Sequence, residues 1–215
     1  MKDAVIYVID FEGSLKSGIL EYGIVGVSLE NGIFFTQTKL CKNRQSISND
    51  ETACHGIDAH LVEKCKDFSI YIETFLELRS KAYFCAHNAI FENTLLKSYC
   101  PVVLHAYGLP DVKQNHWGPW LDTYFLYKKF FNTTCSLSQL IQNCNLSGIL
   151  FQLAEKFCPP QRKYFHCALF DAIACTILLL NFVRNESIGA KDLGWLLKES
   201  NSRRFNQQMQ QADLF

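Results

Sequence analysis

The feature that most constrains the fold is an unbroken apolar run at residues 4–9 that ends directly in two acids, Asp10 and Glu12. Such a Val- and Ile-rich run is typical of a strand covered on both faces, so we expect it at the centre of a sheet. Residues two apart on a strand face the same side, so both carboxylates would project together from the strand end. Two adjacent carboxylates repel each other, and a divalent cation would neutralise them. For this element alone, an ordinary strand end with solvated acids is an equal alternative.

The next segments predict an antiparallel start to the sheet. Residues 19–29 and 33–39 are strand-like and meet at Asn31-Gly32, the dipeptide that best suits a tight type I′ hairpin. Together with the first run they predict a three-stranded antiparallel meander.

Helical patterns and a short strand follow the meander. Residues 82–86 predict a strand, and the most hydrophobic segment, residues 172–183, predicts a buried core helix that is too short to span a bilayer. The predicted helix N-caps are Asp58 before residues 59–79, Asn88 before a helix that ends ahead of Pro101, Asp122, and Ser136, which forms a capping box with Gln139.

Composition sets the class of protein. A chain of 215 residues predicts one folded domain at residues 1–200, followed by a polar tail at residues 201–215. The formal charge is zero, so binding of nucleic acid would depend on a local site. Ten cysteines occur without a C-x-x-C pair, which predicts free thiols. With no signal-peptide pattern and no membrane partner expected, we predict a cytoplasmic protein.

A further acid, Asp171, lies in an apolar helical segment five residues after His166. Five residues on a helix correspond to a rotation of about 140°, so the two side chains cannot share a face in mid-helix. His166 in the preceding loop or first turn would instead lie over a pocket into which Asp171 points. An Asp among Leu, Phe and Ile is costly to bury unless it is paired or bound to metal. His166 alone is more simply explained as an ordinary surface or core histidine.

A further motif, which lies between the other two along the chain, runs from His87 to Glu92, where a strand ends and a helix begins. Glu92 would lie in the first turns of that helix and face back toward the strand end. Read alone this signal is weak, because an acid near a helix N-terminus is favourable in any case.

Together the three motifs resemble the DEDD superfamily of 3′-to-5′ exonucleases, in the DEDDh branch that includes the proofreading subunit of bacterial replicative DNA polymerase. The family motif D-x-E matches Asp10-Phe11-Glu12, H-N-A-x-F-D matches His87 to Phe91 and then departs, and H-x-A-x-x-D matches His166 to Asp171 in full. His55-Gly56-Ile57 and Leu121-Asp122-Thr123 also look like the family.

The resemblance implies a ribonuclease H-like α/β fold, with three antiparallel strands first, then parallel strands, and helices on both faces. It implies hydrolysis assisted by two divalent ions about 3.5–4 Å apart, Mg²⁺ with Mn²⁺ as a substitute. Asp10, Glu12, Asp171 and Glu92 would be the metal ligands, and His166 would accept a proton from the attacking water. The expected product is a nucleoside monophosphate.

Glu92 departs from the family pattern, which has Asp at that position. The additional methylene moves the carboxylate outward by more than about 1 Å, and a displacement of that size can cost on the order of 100-fold in rate. We expect altered metal geometry and a working enzyme.

Substrate contacts are expected from small and basic residues near the motifs. Gly13 and Ser14 would let the backbone approach the terminal nucleotide. Asn88 is a further candidate, although helix capping is the simpler role. Arg162 and Lys163 precede the third motif and could hold backbone phosphates, but a solvated surface position is the ordinary alternative.

The sequence ends in Gln211-Ala212-Asp213-Leu214-Phe215, which resembles the pentapeptide that binds the bacterial sliding clamp. A Gln and a Leu-Phe pair on a polar tail fit a peptide-in-groove ligand. The predicted partner-binding residues are therefore Gln211, Asp213, Leu214 and Phe215, and a DNA polymerase is the alternative partner.

Three functions are compatible with the sequence. The first is a DNA exonuclease that trims 3′ ends, preferably single-stranded, in replication, repair or proofreading. The second is an RNA-trimming exonuclease, since these motifs do not read the 2′-hydroxyl. The third is a weakly active, DNA-binding scaffold of the replication machinery. The clamp-like tail favours the first over the second. Glu92 mildly favours the third, whereas the intact His166 and Asp171 argue against it.

Overall fold

The protein contains a five-stranded mixed sheet. A computed structural model describes residues 5–108, 113–188 and 192–200. The strand order is β3-β2-β1-β4-β5, with β1 paired antiparallel to β2 and parallel to β4. The strands are β1 Val5–Ser14, β2 Gly18–Ser28, β3 Gly32–Leu40, β4 Tyr83–Ala86 and β5 Trp120–Asp122.

Strand β1 lies at the centre of the sheet, as its apolar sequence predicts, and β2 and β3 complete the predicted meander. Strand β1 is longer than the apolar run, because its pairing with β2 continues through Asp10 and Glu12 to an irregularity between Glu12 and Gly13. Both acids therefore lie within the strand.

Helices cover both faces of the sheet. They are α1 Asn49–His55, α2 Ala59–Val62, α3 Ile72–Lys81, α4 Ile90–Tyr99, α5 Thr123–Phe131, α6 Leu137–Asn143, α7 Ser147–Phe157, α8 Ala168–Arg184 and α9 Leu193–Ser200, with a 3₁₀ turn at Phe68–Tyr71. Helices α5 to α9 share one core with Ile6 and Val8, whereas α3 and α4 share the opposite core with Ile9 and Phe11. This matches the ribonuclease H-like arrangement.

Helix α8 is the predicted buried core helix. Its side chains are almost all buried, and it packs against β1 and β2. Within the described ranges, none of the helices is both long and apolar enough to cross a membrane.

Three local predictions were wrong. The β2–β3 connection is a three-residue loop over 29–31, since Ser28 pairs with Gly32, and Ser28 Oγ accepts hydrogen bonds from the N–H groups of Glu30 and Asn31. The predicted helix over 59–79 is interrupted, because the Asp67 carboxylate accepts from Ser69 N–H and starts the 3₁₀ turn. Asn88 does not cap α4, because it has a positive φ of 71° and Ala89 occupies the N-cap position.

The other predicted caps are confirmed. Asp58 accepts from Leu61 N–H at 2.7 Å, and Ser136 forms a capping box with Gln139. Asp122 caps α5 by accepting from the N–H groups of Tyr124 and Phe125.

Candidate active site

A cavity of about 320 Å³ lies at the end of β1 and brings the three sequence motifs together. Five of the residues that line it are the predicted catalytic set: Asp10, Glu12, Glu92, His166 and Asp171. They come from β1, α4 and the start of α8.

Asp10 and Glu12 reach the cavity because of the alternation along β1. Ile6 and Val8 belong to the core on the α8 side of the sheet, and Ile9 and Phe11 belong to the other core. By the two-residue period, Asp10 and Glu12 continue the α8 side.

His166 and Asp171 have the arrangement that the sequence predicts. His166 lies in the loop before α8, with a φ of 67°, and its N–H donates to Asp171 Oδ2 at 3.0 Å. Asp171 is in the first turn of α8 and is buried, whereas His166 is exposed. One ligand atom each from Glu12, His166 and Asp171 lies within 4.8 Å of the others.

Glu92 reaches the same cavity from the first turn of α4 and is buried. The start of α4 is held by Asp122, whose two carboxylate oxygens accept from the N–H groups of Asn88 and Ala89 at 3.0 and 2.8 Å. One carboxylate thus caps α5 and fixes the entry to α4, which places Glu92 opposite β1.

The carboxylates of the site hold protons more tightly than ordinary carboxyl groups. Burial, with the charges of Asp171 and Glu21, raises the pKa of Glu12 to about 8, although Arg162 opposes the shift. Burial raises the pKa of Asp171 to about 7 despite the hydrogen bond from His166 N–H. Burial raises the pKa values of Asp10 and Glu92 well above the usual range, and neighbouring carboxylates add to both shifts.

The site has the donor set of a divalent-cation site. Asp171 Oδ1 and Glu92 Oε2 are buried and have no hydrogen-bond partner in the described part of the chain. A buried carboxylate oxygen without a partner is costly, and a bound cation would satisfy it. Hard oxygen ligands suit Mg²⁺ or Mn²⁺, so these residues fit the metals that the family resemblance implies.

The predicted substrate residues near the first two motifs have different positions. Gly13 and Asn88 line the cavity. Gly13 has a φ of 125°, and a Cβ there would lie 2.1 Å from Gly18 O, so the close strand pairing requires glycine. Ser14 is absent from the described cavity lining, and its Oγ accepts from Lys16 and Ser17 N–H in the β1–β2 turn.

The prediction that Arg162 holds backbone phosphates is not supported by its position. Arg162 is buried, and its guanidinium donates to Glu21 and to the carbonyl oxygen of His55. Lys163 forms an ion pair with Glu155 at 2.5 Å outside the cavity lining. Gln211, Asp213, Leu214 and Phe215 lie outside the described residues.

The sequence motifs did not assign a role to Glu21, His55 or His87. Glu21 is a buried acid in an otherwise apolar strand, and that isolated charge was the available signal. His55 and His87 both line the cavity, and the Nε2 atom of each is buried without a hydrogen-bond partner among the described residues. His87 Nδ1 lies 2.9 Å from Thr123 Oγ1, and burial lowers the pKa of His87 to about 4.

Comparison with solved structures places the chain in a known fold. No protein-family model matches the sequence, and no curated protein matches it. Exonuclease X in complex with 5′ overhanging duplex DNA superposes with a TM-score of 0.66 at 20% identity, covering 91% of this chain and 99% of the other.

Two further matches have the same fold. The nuclease domain of 3′hExo, a DEDDh family member bound to rAMP, gives a TM-score of 0.58 at 14% identity over 86% of this chain and 94% of that domain. S. pombe Pop2p, in a form with bound Mg²⁺ and Mn²⁺, gives a TM-score of 0.63 at 11% identity, covering 87% of this chain and 86% of the other. The chain therefore has the ribonuclease H-like fold of DEDDh 3′-exonucleases.

Proposed function

We propose that this protein is a metal-dependent 3′-to-5′ exonuclease that hydrolyses DNA, preferably at single-stranded 3′ ends, to nucleoside monophosphates. The observation that carries the proposal is the convergence of Asp10, Glu12, Glu92 and Asp171 beside His166 in one cavity. The shared fold with Exonuclease X, which was solved with DNA, supports DNA as the substrate.

Asp10, Glu12, Glu92 and Asp171 are the residues that would hold Mg²⁺ or Mn²⁺. When bound, two such ions stabilise the charge on the attacking and leaving oxygens of an in-line phosphoryl displacement. The carboxylates would be ionised in that state, since a cation reverses the repulsion that raises their pKa values.

His166 would act as the general base. Its imidazole is exposed at the cavity beside Asp171, where it can accept a proton from the attacking water. Histidine is the side chain that most often acts as a general base in enzymes. The hydrogen bond from His166 N–H to Asp171 fixes the backbone from which the ring projects.

The terminal nucleotide would enter the cavity over Gly13 and Asn88. The backbone at Gly13 carries no side chain that would obstruct the approach, and the exposed Phe91 ring, which also lines the cavity, offers a surface for base stacking.

RNA is the second candidate substrate, favoured by the rAMP bound to 3′hExo. The experiment is a time course on DNA and RNA strands of identical sequence, labelled at the 5′ end, with Mg²⁺, Mn²⁺ or EDTA. We expect DNA ladders that shorten from the 3′ end only in the presence of metal. In His166→Ala the rate of shortening should be about 10²- to 10⁴-fold lower. Faster shortening of RNA would assign the second substrate, and internal cleavage would contradict an exonuclease.

We further propose that the protein acts in DNA replication or repair in a reducing, cytoplasmic compartment. The support is the clamp-like sequence from Gln211 to Phe215 on the tail at 201–215, together with ten free thiols in the described residues. The sliding clamp would tether the domain at residues 1–200 near DNA ends and raise its effective concentration there.

A further inference from the structure

The contacts of Arg162 differ from those of a phosphate-binding arginine. Its Nε and Nη2 atoms lie 3.2 and 2.5 Å from the two carboxylate oxygens of Glu21, and both residues are buried. This is the two-pronged arrangement in which the planar guanidinium fixes its partner's orientation.

The remaining donors of Arg162 hold the backbone around the candidate active site. Nη1 donates to His55 O at 2.7 Å and to Tyr164 Oη at 3.2 Å. Nη2 also reaches His166 O at 3.5 Å. One guanidinium thus connects β2, the end of α1 and the loop that carries His166.

Glu21 extends this connection to α8. Its Oε2 accepts from Ala168 N–H, the first residue of the helix, at 2.9 Å. The N-cap residue Cys167 supplies no side-chain cap, so a carboxylate from a distant strand performs that task. Asp171 lies three residues further on and takes its position from this helix start.

His166 needs such support. A non-glycine residue with a φ of 67° is in a sparsely populated conformation that persists only when its surroundings hold it. A buried ion pair, by contrast, is a weak source of stability compared with apolar side chains of similar volume. The presence of this ion pair is therefore better explained by the backbone groups that it holds in place than by a contribution to stability.

We propose that the Glu21–Arg162 pair positions the catalytic His166 and Asp171, and that Arg162 is a positioning residue with no contact to the substrate strand. The kinetic part of this inference rests on the proposed exonuclease function.

The sharpest variant replaces both members, Glu21→Met with Arg162→Met, because it leaves no unpaired buried charge. We expect this double variant and Arg162→Lys to fold and to keep the wild-type KM for a single strand. We expect kcat to fall roughly 10- to 100-fold, the range expected for small misplacements of catalytic groups. Lysine retains the charge, but its three N–H donors on one nitrogen are too few for both carboxylate oxygens of Glu21 and two carbonyl oxygens.

Amide hydrogen exchange supplies a readout that needs no activity. In both variants the amides of His166 and Ala168 should exchange faster, whereas those of β1 should not change. The control removes a surface pair on α3, Glu77→Gln with Lys81→Met, and should leave kcat and these amides unchanged.

The inference would be overturned by a wild-type kcat in the double variant, or by exchange that accelerates equally throughout the sheet. An unchanged kcat with a raised KM would also overturn it, by showing a contact to the strand. If the wild-type protein releases no mononucleotides, the proposed function fails, and the exchange experiment still tests the positioning role.

Discussion

At the residue scale, the candidate site is a group of buried carboxylates, and packing of the apolar core does not explain why acids are buried there. Glu12, Glu92 and Asp171 are each less than 10% exposed and lie beside other acids. Such a cluster is unfavourable in the absence of a cation, because burial and mutual repulsion both oppose ionisation.

This cost predicts a pH-dependent stability of the metal-free protein. Glu12 and Asp171 have raised pKa values of about 8 and about 7, so the folded state binds more protons than the unfolded state from about pH 4 to pH 8. Stability contributed by these groups is present below their unfolded pKa values and is lost as pH rises through the folded ones. The thermal midpoint in EDTA should therefore fall across this range.

Added Mn²⁺ should restore the midpoint, and its effect should grow with pH, since the ligands must be deprotonated. Glu12→Gln should flatten the pH dependence in EDTA. An equal slope in wild type and Glu12→Gln would contradict the assigned titration.

Glu92 is the residue at which the sequence departs from the family pattern. Glu92→Ala should lower the rate by at least about 100-fold, because the carboxylate that we propose as a metal ligand is removed. Glu92→Asp keeps the charge and should retain more activity than Glu92→Ala. The measurement is kcat at saturating Mg²⁺, and a wild-type rate in Glu92→Ala would remove this residue from the metal site.

The residues that line the cavity could be picked out from the sequence because each motif is local and the three motifs together resemble one family. The motifs Asp10-x-Glu12 and His166 to Asp171 each span no more than six residues, so the local backbone places their side chains. The sequence could not predict the partner of Arg162, since Glu21 lies 141 residues earlier in the chain. A basic residue beside a motif therefore suggested phosphate binding, whereas burial gave it a protein partner.

At the element scale, the site depends on how closely α8 approaches β2. A Cβ at Gly23 would lie 2.3 Å from the carbonyl carbon and oxygen of Ala168, so the helix start packs directly on this glycine. Because the obstructing atoms belong to the backbone, a side chain there must displace the helix.

Gly23→Ala should therefore lower the free energy of unfolding by about 1–3 kcal/mol, the usual cost of overpacking. It should also lower kcat, because α8 carries Asp171. Gly148→Ala is the matched control: it lies in α7, where a Cβ would meet no atom within 4 Å, and should stabilise by about 0.5–1 kcal/mol. Urea denaturation of the two variants checks this, and equal stabilities would contradict the close contact.

Helix boundaries were predictable where the cap is next to its helix, as at Asp58 and Ser136. They were not predictable where another segment supplies the acceptor. The start of α4 is held by Asp122, and that of α8 by Glu21. These two helices carry Glu92 and Asp171, so the elements that form the site are the ones fixed by distant contacts.

At the scale of the whole molecule, the sheet order explains why one strand serves as the centre of the site. β1 has β2 on one side and the parallel strand β4 on the other. The end of β4 leads into α4, so the acids of β1 face Glu92 from one side and the start of α8 from the other.

The proposed tail function is separable from catalysis. Deletion of residues 211–215 should abolish binding to a bacterial sliding clamp while leaving hydrolysis of free single strands unchanged, because the cavity lies within the folded domain. Surface-bound clamp and a 5′-labelled strand measure the two properties in parallel. Loss of both activities would contradict an independent tether, and so would retained clamp binding.

The most direct test of the account compares wild-type protein with Asp171→Asn, a nearly isosteric change that removes one charge. Mn²⁺ binding is followed by titration, and release of mononucleotides from the 3′ end of a single DNA strand is followed in the same samples. We predict that the wild-type protein binds Mn²⁺ and degrades the strand, and that Asp171→Asn binds Mn²⁺ weakly and loses about a thousandfold in rate, since metal stabilisation of the transition state amounts to several kcal/mol. Hydrolysis at the wild-type rate by Asp171→Asn, or in excess EDTA, would contradict the claim that these buried carboxylates hold the catalytic cations.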